Sequence, residues 1–150
     1  MRVGVGADHA GFRYKERVKD WLRQRGHEVV DFGTDSEKAV DYPLYVRPVA
    51  RAVASGEIER GLVFGGSGNG EAIVANRVPG VRCAYCWNEV SARLGREHND
   101  ANMIALGERL VDLETTLRIV DIFVNTPFQG GRHRQRIRLI DEVDQREDPA

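Results

Sequence analysis

The sequence predicts a single α/β domain, a doubly wound five-stranded parallel sheet with helices on both faces. Three observations carry this expectation. Short β-rich runs alternate with longer helical patterns along all 150 residues, most of the runs end in Gly, Asp or Asn, and no repeat, linker or low-complexity tract interrupts the alternation. Strands of five or six residues separated by helices of this length must pair in parallel, with the helices crossing over the sheet faces. A chain of this length buries enough surface to fold without disulfides or metal.

The first strand is read in "RVGVGA" (2 to 7), and a helix follows in which Tyr14, Val18, Trp21 and Leu22 share one face. "HEVVDFG" (27 to 33) is the second strand, followed by a helix with Val46, Val49, Ala50 and Val53 on its inner side. "GLVFGG" (61 to 66) is the third strand, and it runs into a glycine-rich turn and another helix. "VRCAYC" (81 to 86) and "NMIALG" (102 to 107) supply the fourth and fifth strands. Leu113, Leu117, Val120 and Val124 mark the helix after the fifth strand. A last amphipathic segment runs from about 131 to 145 with Ile137, Ile140 and Val143 on one side, and "QREDPA" reads as a terminal tail.

Composition removes several function classes. Lys and Arg total 22 against 23 Asp and Glu, a formal net charge of -1, so no broad basic surface for nucleic acid or anionic lipid is expected and any anion site must be local. The apolar runs are too short to span a bilayer, and the first residues lack a signal-peptide pattern, so a cytoplasmic protein is expected. Cys83 and Cys86 form a C-x-x-C pair, but within a strand two positions three apart face opposite sides, which favours core cysteines over a redox or zinc pair. His9, His27, His98 and His133 are scattered without ligand spacing, so no metal and no cofactor are expected.

In a doubly wound sheet, ligands bind beyond the carboxyl ends of the strands, where strand order reverses. That rule selects "ADHAG" after the first strand, with Asp8 and His9, and "GGSGNGE" after the third. Gly66, Ser67, Gly68, Asn69 and Gly70 allow close backbone approach to a ligand, and the amides opening the next helix form an anion hole; a plain tight turn explains the glycines equally well. The stretch lacks the Lys-Ser/Thr ending of a nucleotide loop and the spacing of a dinucleotide fingerprint. Glu71 in the first helical turn is favourable electrostatically, yet beside an anion hole it is also placed to take a proton from carbon while the loop amides and Ser67 hold the resulting oxyanion. "EHNDAN", with His98 and Asn99, is read as a loop entering the fifth strand, and Tyr42 in "VDYP" as a hydroxyl at the same mouth or a packing residue. Arg132 and Arg136 lie one helical turn apart, suited either to grip a phosphate or to line a solvated face.

Taken together, "GADHAGFRYK", "DYP" at 41 to 43, "GGSGNGEAIVANRVPGVR", "REHNDANMIALGER" and "PFQGGRHRQRI" resemble the type B ribose-5-phosphate isomerases, within the broader family that includes galactose-6-phosphate isomerase subunits. The resemblance implies a Rossmann-like, flavodoxin-like sheet and metal-free aldose-ketose isomerisation of a phosphorylated sugar. It also implies a homodimer, often paired into tetramers, whose active sites lie across a subunit interface and include the C-terminal helix. Carried over, Glu71 is the proton acceptor, as in the branch of the family that lacks a cysteine where this chain has Gly65. His98 opens the furanose ring with Asn99 beside it, Asp8, His9 and the Gly66 to Gly70 loop contact substrate, and Arg109, Arg132 and Arg136 hold the phosphate with help from His133. Two alternatives stand beside this: an isomerase of another aldose phosphate such as allose 6-phosphate, galactose 6-phosphate or an erythrulose phosphate, and a non-catalytic phosphometabolite-binding module.

Overall fold

The computed structural model describes residues 1–142. Five strands, β1 (Arg2–Ala7), β2 (Glu28–Asp31), β3 (Arg60–Gly65), β4 (Cys83–Tyr85) and β5 (Met103–Gly107), form one parallel sheet in the order β2-β1-β3-β5-β4. The chain winds outward from β1 to β2, then returns to place β3 on the other side of β1, which sets the reversal between β1 and β3. β5 inserts between β3 and β4, so the last two strands are exchanged relative to the flavodoxin order. The strands match the expected ones with trimmed ends: β2 closes at Asp31 and β4 keeps only Cys83–Tyr85 of the run from 81 to 86.

Among the described residues six helices flank the sheet: α1 (Phe12–Gln24), α2 (Pro43–Ala54), α3 (Asn69–Asn76), α4 (Glu89–Asn99), α5 (Leu113–Asn125) and α6 (Arg132–Ile140). The two-residue period of the strands divides the core in two. Val3, Val5, Leu62, Phe64, Ile104 and Leu106 point to the face covered by α1, α4 and α5. Val63, Met103 and Ala105 point to the face covered by α2 and α3. Gly6 lies on this second face, and a Cβ there would come within 2.7 Å of the Tyr45 carbonyl oxygen, so its absence lets α2 lie close against β1. Burying each Leu or Phe of these layers stabilises the fold by about 1.5–3 kcal/mol.

The expected inner faces hold: Val18 and Leu22 of α1, Val46, Val49, Ala50 and Val53 of α2, and Val120 and Val124 of α5 are buried. α4 starts on a capping box in which the Asn88 side chain accepts from the Ser91 amide at 2.8 Å and the Ser91 hydroxyl accepts from the Asn88 amide at 3.2 Å. Asp112 caps α5 in the same sense, accepting from Thr115 N at 2.7 Å. In α6 only His133 is buried, while Ile140 is mostly exposed and Val143 lies outside the described residues. The two cysteines separate as the strand period requires, Cys83 toward the α2 and α3 face and Cys86 into the opposite core. Burial pushes both thiols far up, Cys86 to about 12, so neither is a reactive thiolate. Among the described residues no helix is long and apolar enough to cross a membrane, and no cluster of His, Cys, Asp and Glu could hold a metal ion.

Candidate active site

Register brings the carboxyl ends of the three central strands level. Ala7 pairs with Phe64 and Gly65 pairs with Gly107, so the chain leaves β1, β3 and β5 side by side. A cleft of about 360 Å³ opens there, lined by Asp8 and His9 after β1, Gly66, Ser67, Gly70 and Glu71 after β3, Arg109 and Leu110 after β5, and Tyr42 at the start of α2. This is a volume typical of small-ligand sites, at the position the topology favours. A slightly larger hollow of about 400 Å³ beside β4, walled by Val78, Val81, Cys83 and Ile140 among others, has neither a glycine-rich loop nor paired carboxylates.

Each wall of the cleft has a local cause. Asp8 Oδ1 accepts from the amides of Ala10 and Gly11 at 2.9 and 3.0 Å, an Asx turn that ends the strand and leads into α1. His9 Nδ1 accepts from the Val40 amide at 3.1 Å, so the neutral ring carries its proton on Nε2. That bond also ties the connection between β2 and α2 over the cleft, as does Arg13, which bridges Glu37 at 3.3 Å and Glu108 at 3.1 Å. Gly68 caps α3 at φ 86, a left-handed position where a side chain would also meet the Leu106 carbonyl carbon at 2.9 Å. Ser67 Oγ accepts from Asn69 N at 3.2 Å and its carbonyl receives the Tyr85 hydroxyl at 3.0 Å, which fixes the loop from two sides.

Glu71 is the most perturbed group of the cleft. Its side chain is 3% exposed, and the carboxyl occupies the space that a Cβ on Gly65 would need. Burial pushes its pKa up to about 7; a bond from its own amide opposes the shift, and the neighbouring Asp8 carboxylate adds to it. A carboxyl that titrates near neutrality, one turn into a helix whose first amides face an open cleft, is equipped to accept and return a proton. Opposite it, the Arg109 guanidinium lies over Gly66, and the Tyr42 ring lies against Gly70, within 2.5 Å of where a Cβ would stand.

The remaining residues singled out in the sequence form a second group. His98 and Asn99 belong to the last turn of α4 rather than to a loop, because the helix runs on until Asp100 takes a left-handed conformation at φ 44. The His98 ring stacks on His133 of α6, with centroids 4.3 Å apart and planes 15° from parallel. Desolvation first, and then His98, Arg132 and Arg136, hold the His133 pKa below its ordinary value. Arg132 and Arg136 are exposed, while Arg134 turns away to lie over the Phe128 ring. None of His98, Asn99, Arg132, His133 or Arg136 lines the cleft that holds Glu71. Sequence reasoning missed Leu110 as a wall, Arg13 as a tie and Gly65 as the slot for the Glu71 carboxyl. Only the glycine left a trace, as the abrupt end of an apolar run.

Fold and cleft together define a doubly wound α/β domain with a buried carboxyl and a glycine-rich helix start at its switch point. Within that class the chain belongs to the ribose/galactose isomerase family, whose model matches residues 3–140. It is 43% identical over 145 residues to ribose-5-phosphate isomerase B of Escherichia coli strain K12, covering 97% of each chain. To ribose-5-phosphate isomerase B of Mycobacterium tuberculosis strain H37Rv it is 44% identical, over 96% of this chain and 90% of that one. Among solved structures, Clostridium thermocellum ribose-5-phosphate isomerase B superposes with a TM-score of 0.93 at 51% identity, covering 94% of this chain and 95% of that one. The Thermotoga maritima ribose 5-phosphate isomerase gives 0.92 at 47%, covering 95% and 98%.

Proposed function

We propose that the protein interconverts ribose 5-phosphate and ribulose 5-phosphate, with Glu71 moving the proton between C2 and C1 through a cis-enediolate. The observation that carries the base assignment is the Glu71 carboxyl itself, buried and raised to about 7, at the mouth of a glycine-rich helix start. Relatives of similar length that bear the name ribose-5-phosphate isomerase B support the choice of sugar.

The open-chain aldose lies with C1 and C2 over the loop from Gly66 to Gly70. Glu71 takes the C2 proton, and the electron pair moves into a C1–C2 double bond as negative charge passes to the C1 oxygen. The loop amides and Ser67 hold that charge, each good donor being worth about 3–4 kcal/mol in comparable sites. The same carboxyl then returns the proton to C1 while the C2 hydroxyl proton passes to the C1 oxygen, which leaves a C2 carbonyl and a C1 hydroxyl, the ketose. His9, with its proton on Nε2, donates to a substrate oxygen, and Asp8 both orients the sugar and keeps Glu71 basic enough to work near pH 7.

The second group completes the site from another copy of the chain. His98, with Asn99 beside it, opens the furanose ring by proton transfer, and Arg132, Arg136 and His133 hold the phosphate together with Arg109. Support comes from the separation of the two groups within one protomer and from the exposure of α6, whose Arg132, Arg136, Leu139 and Ile140 face outward. A phosphate held far from C1 and C2 contributes positioning energy.

The test is solvent exchange at C2 of ribose 5-phosphate, followed by NMR in deuterated buffer for the wild type and Glu71→Gln. The wild type exchanges and forms ketose, and the variant binds the sugar but loses turnover by about 10²- to 10⁴-fold. Near-full turnover in Glu71→Gln removes the base assignment, and absence of both exchange and product in the wild type removes the substrate.

A further inference from the structure

The last turn of α4 is held by an arrangement that helix stability does not require. Arg96 is buried, with its side chain 3% exposed, and its guanidinium spans three partners. Nη1 donates to Asp100 Oδ1 at 2.9 Å and to the Ala101 carbonyl at 2.7 Å, while Nε donates to the Thr126 carbonyl at 3.0 Å, just past the end of α5. Arg82 grips the other side of Asp100, from Nη2 to Oδ2 at 3.3 Å and to the backbone carbonyl at 2.9 Å, and its Nε reaches the Asn99 carbonyl at 3.0 Å. The Gln129 amide donates to the Glu97 carbonyl at 3.1 Å, a further tie between the same two segments.

Asp100 is the only non-glycine residue with positive φ among the described residues. Glycine is the cheaper residue at that place in a helix end, and with the Asp100 side chain 38% exposed its charge pairing with Arg96 adds little stability. What the ion pair does supply is geometry. One guanidinium joins the end of α4, which carries His98 and Asn99, to the connection that leads into α6, which carries Arg132, His133 and Arg136. The stacked pair His98 and His133 sits where the two segments meet.

We propose that Arg96 and Asp100 are positioning residues for the reaction, fixing His98 and Asn99 against the His133 helix so that ring opening and phosphate binding act on one substrate. The proposal rests on the reading of His98 as the ring-opening group. Its consequence is that turnover and stability respond in opposite directions to changes at Asp100.

The experiment measures Tm, kcat and KM for ribose 5-phosphate, and the side-chain NMR titrations of His98 and His133, in Asp100→Asn, Asp100→Gly and Arg96→Lys, with His98→Ala as reference. Asn tolerates the left-handed backbone and still accepts one bond from Arg96, and glycine removes the anchor while easing the backbone. The expected order of kcat is wild type, then Asn, then Gly, with the glycine variant down about tenfold or more and its Tm unchanged or higher. In the same variant His133 loses the influence of His98 and titrates closer to its ordinary value. Arg96→Lys keeps the charge but not the three-way fork, and falls with the glycine variant in kcat. If Asp100→Gly keeps kcat within about twofold of wild type, or if all variants lose activity only in step with their folded fraction, the proposal is overturned. Full turnover in His98→Ala overturns the ring-opening reading instead, and the imidazole titrations then decide the clamp by themselves.

Discussion

The cleft around Glu71 and the cluster around His98 are built by different means. The cleft hangs on the ends of β1, β3 and β5, strands whose apolar side chains are wholly buried, and its residues are set by backbone registers and glycine turns. The cluster hangs on two helix ends and one outward-facing helix, and side-chain ties through Arg96, Arg82 and the His98–His133 stack set its shape. The ends of central strands tolerate little motion, so a carboxyl can be desolvated there and kept at a pKa near 7. A helix end frays easily unless its last carbonyls are taken, and here the Arg82 guanidinium takes that of Asn99 and the Gln129 amide that of Glu97. The difference teaches that the Glu71 half of the proposed site is made by the fold, and the His98 half by local side-chain chemistry.

The sharpest way to break the cleft without touching its chemistry is Gly65→Ala. The added methyl enters the space of the Glu71 carboxyl and drives it out of its slot toward the open cleft. Displacing a base by about an ångström typically costs up to about 10²-fold in kcat, so a loss of about 10- to 100-fold is expected with KM less affected. Steady-state kinetics checks this, with circular dichroism to confirm the fold. An alanine variant with wild-type kcat would show that Glu71 does not work from the position observed.

The link between the two regions is tested by mixing. In a two-fold dimer with composite sites, Glu71→Gln spoils one cleft and Arg136→Ala spoils one cluster. A heterodimer of the two variants therefore regains one intact site. Random reassociation of equal amounts restores about a quarter of wild-type activity from two nearly inactive parents. Assay after denaturation and refolding of the mixture measures it. No recovery beyond the sum of the parents means that cleft and cluster of the same chain serve one site.

The sheet was the most legible part of the sequence. The short β-rich runs such as "RVGVGA" and "GLVFGG" and the helical faces of α1, α2 and α5 are repeated signals, each backed by several apolar residues. The loops after β1 and β3 followed from topology, because strand ends at a reversal are where ligands bind. Two features were hidden. His98 and Asn99 read as loop residues because Asn and Asp are turn formers; nothing local signals that Arg96 and Arg82 carry the helix through to Asp100. The slot for Glu71 depends on Gly65, six positions back and on another element, so its meaning appears only when strand and helix are placed together. The resemblance named the residues of both regions, but their division between a cleft and a separate cluster is a fact of three-dimensional placement.

The smallest expected effect is the most direct check on how the cleft tunes its carboxyl. Glu71 has its folded pKa raised from 4.5 to about 7, chiefly by burial and in smaller part by Asp8. An acid raised in this way binds its proton more tightly in the folded state. Between about pH 4.5 and 7 the folded protein therefore holds a proton that the unfolded chain has released, and stability contributed by this group falls as pH rises through that window. Activity runs the other way, since the base must be ionised to attack C2. kcat/KM should rise through a midpoint near 7 in the wild type, provided Glu71 is the base. Asp8→Asn removes the negative neighbour but not the burial, so the midpoint moves down by a fraction of the full shift, toward the ordinary carboxyl range. The rate at high pH falls as well on the proposal that Asp8 also orients the sugar. The pH profile of kcat/KM in the two proteins separates these effects: a lower midpoint assigns the titration to Glu71 and its neighbour. An unmoved midpoint with a lower plateau leaves Asp8 a binding residue alone, and the raised pKa is then the work of the central strand ends that bury Glu71.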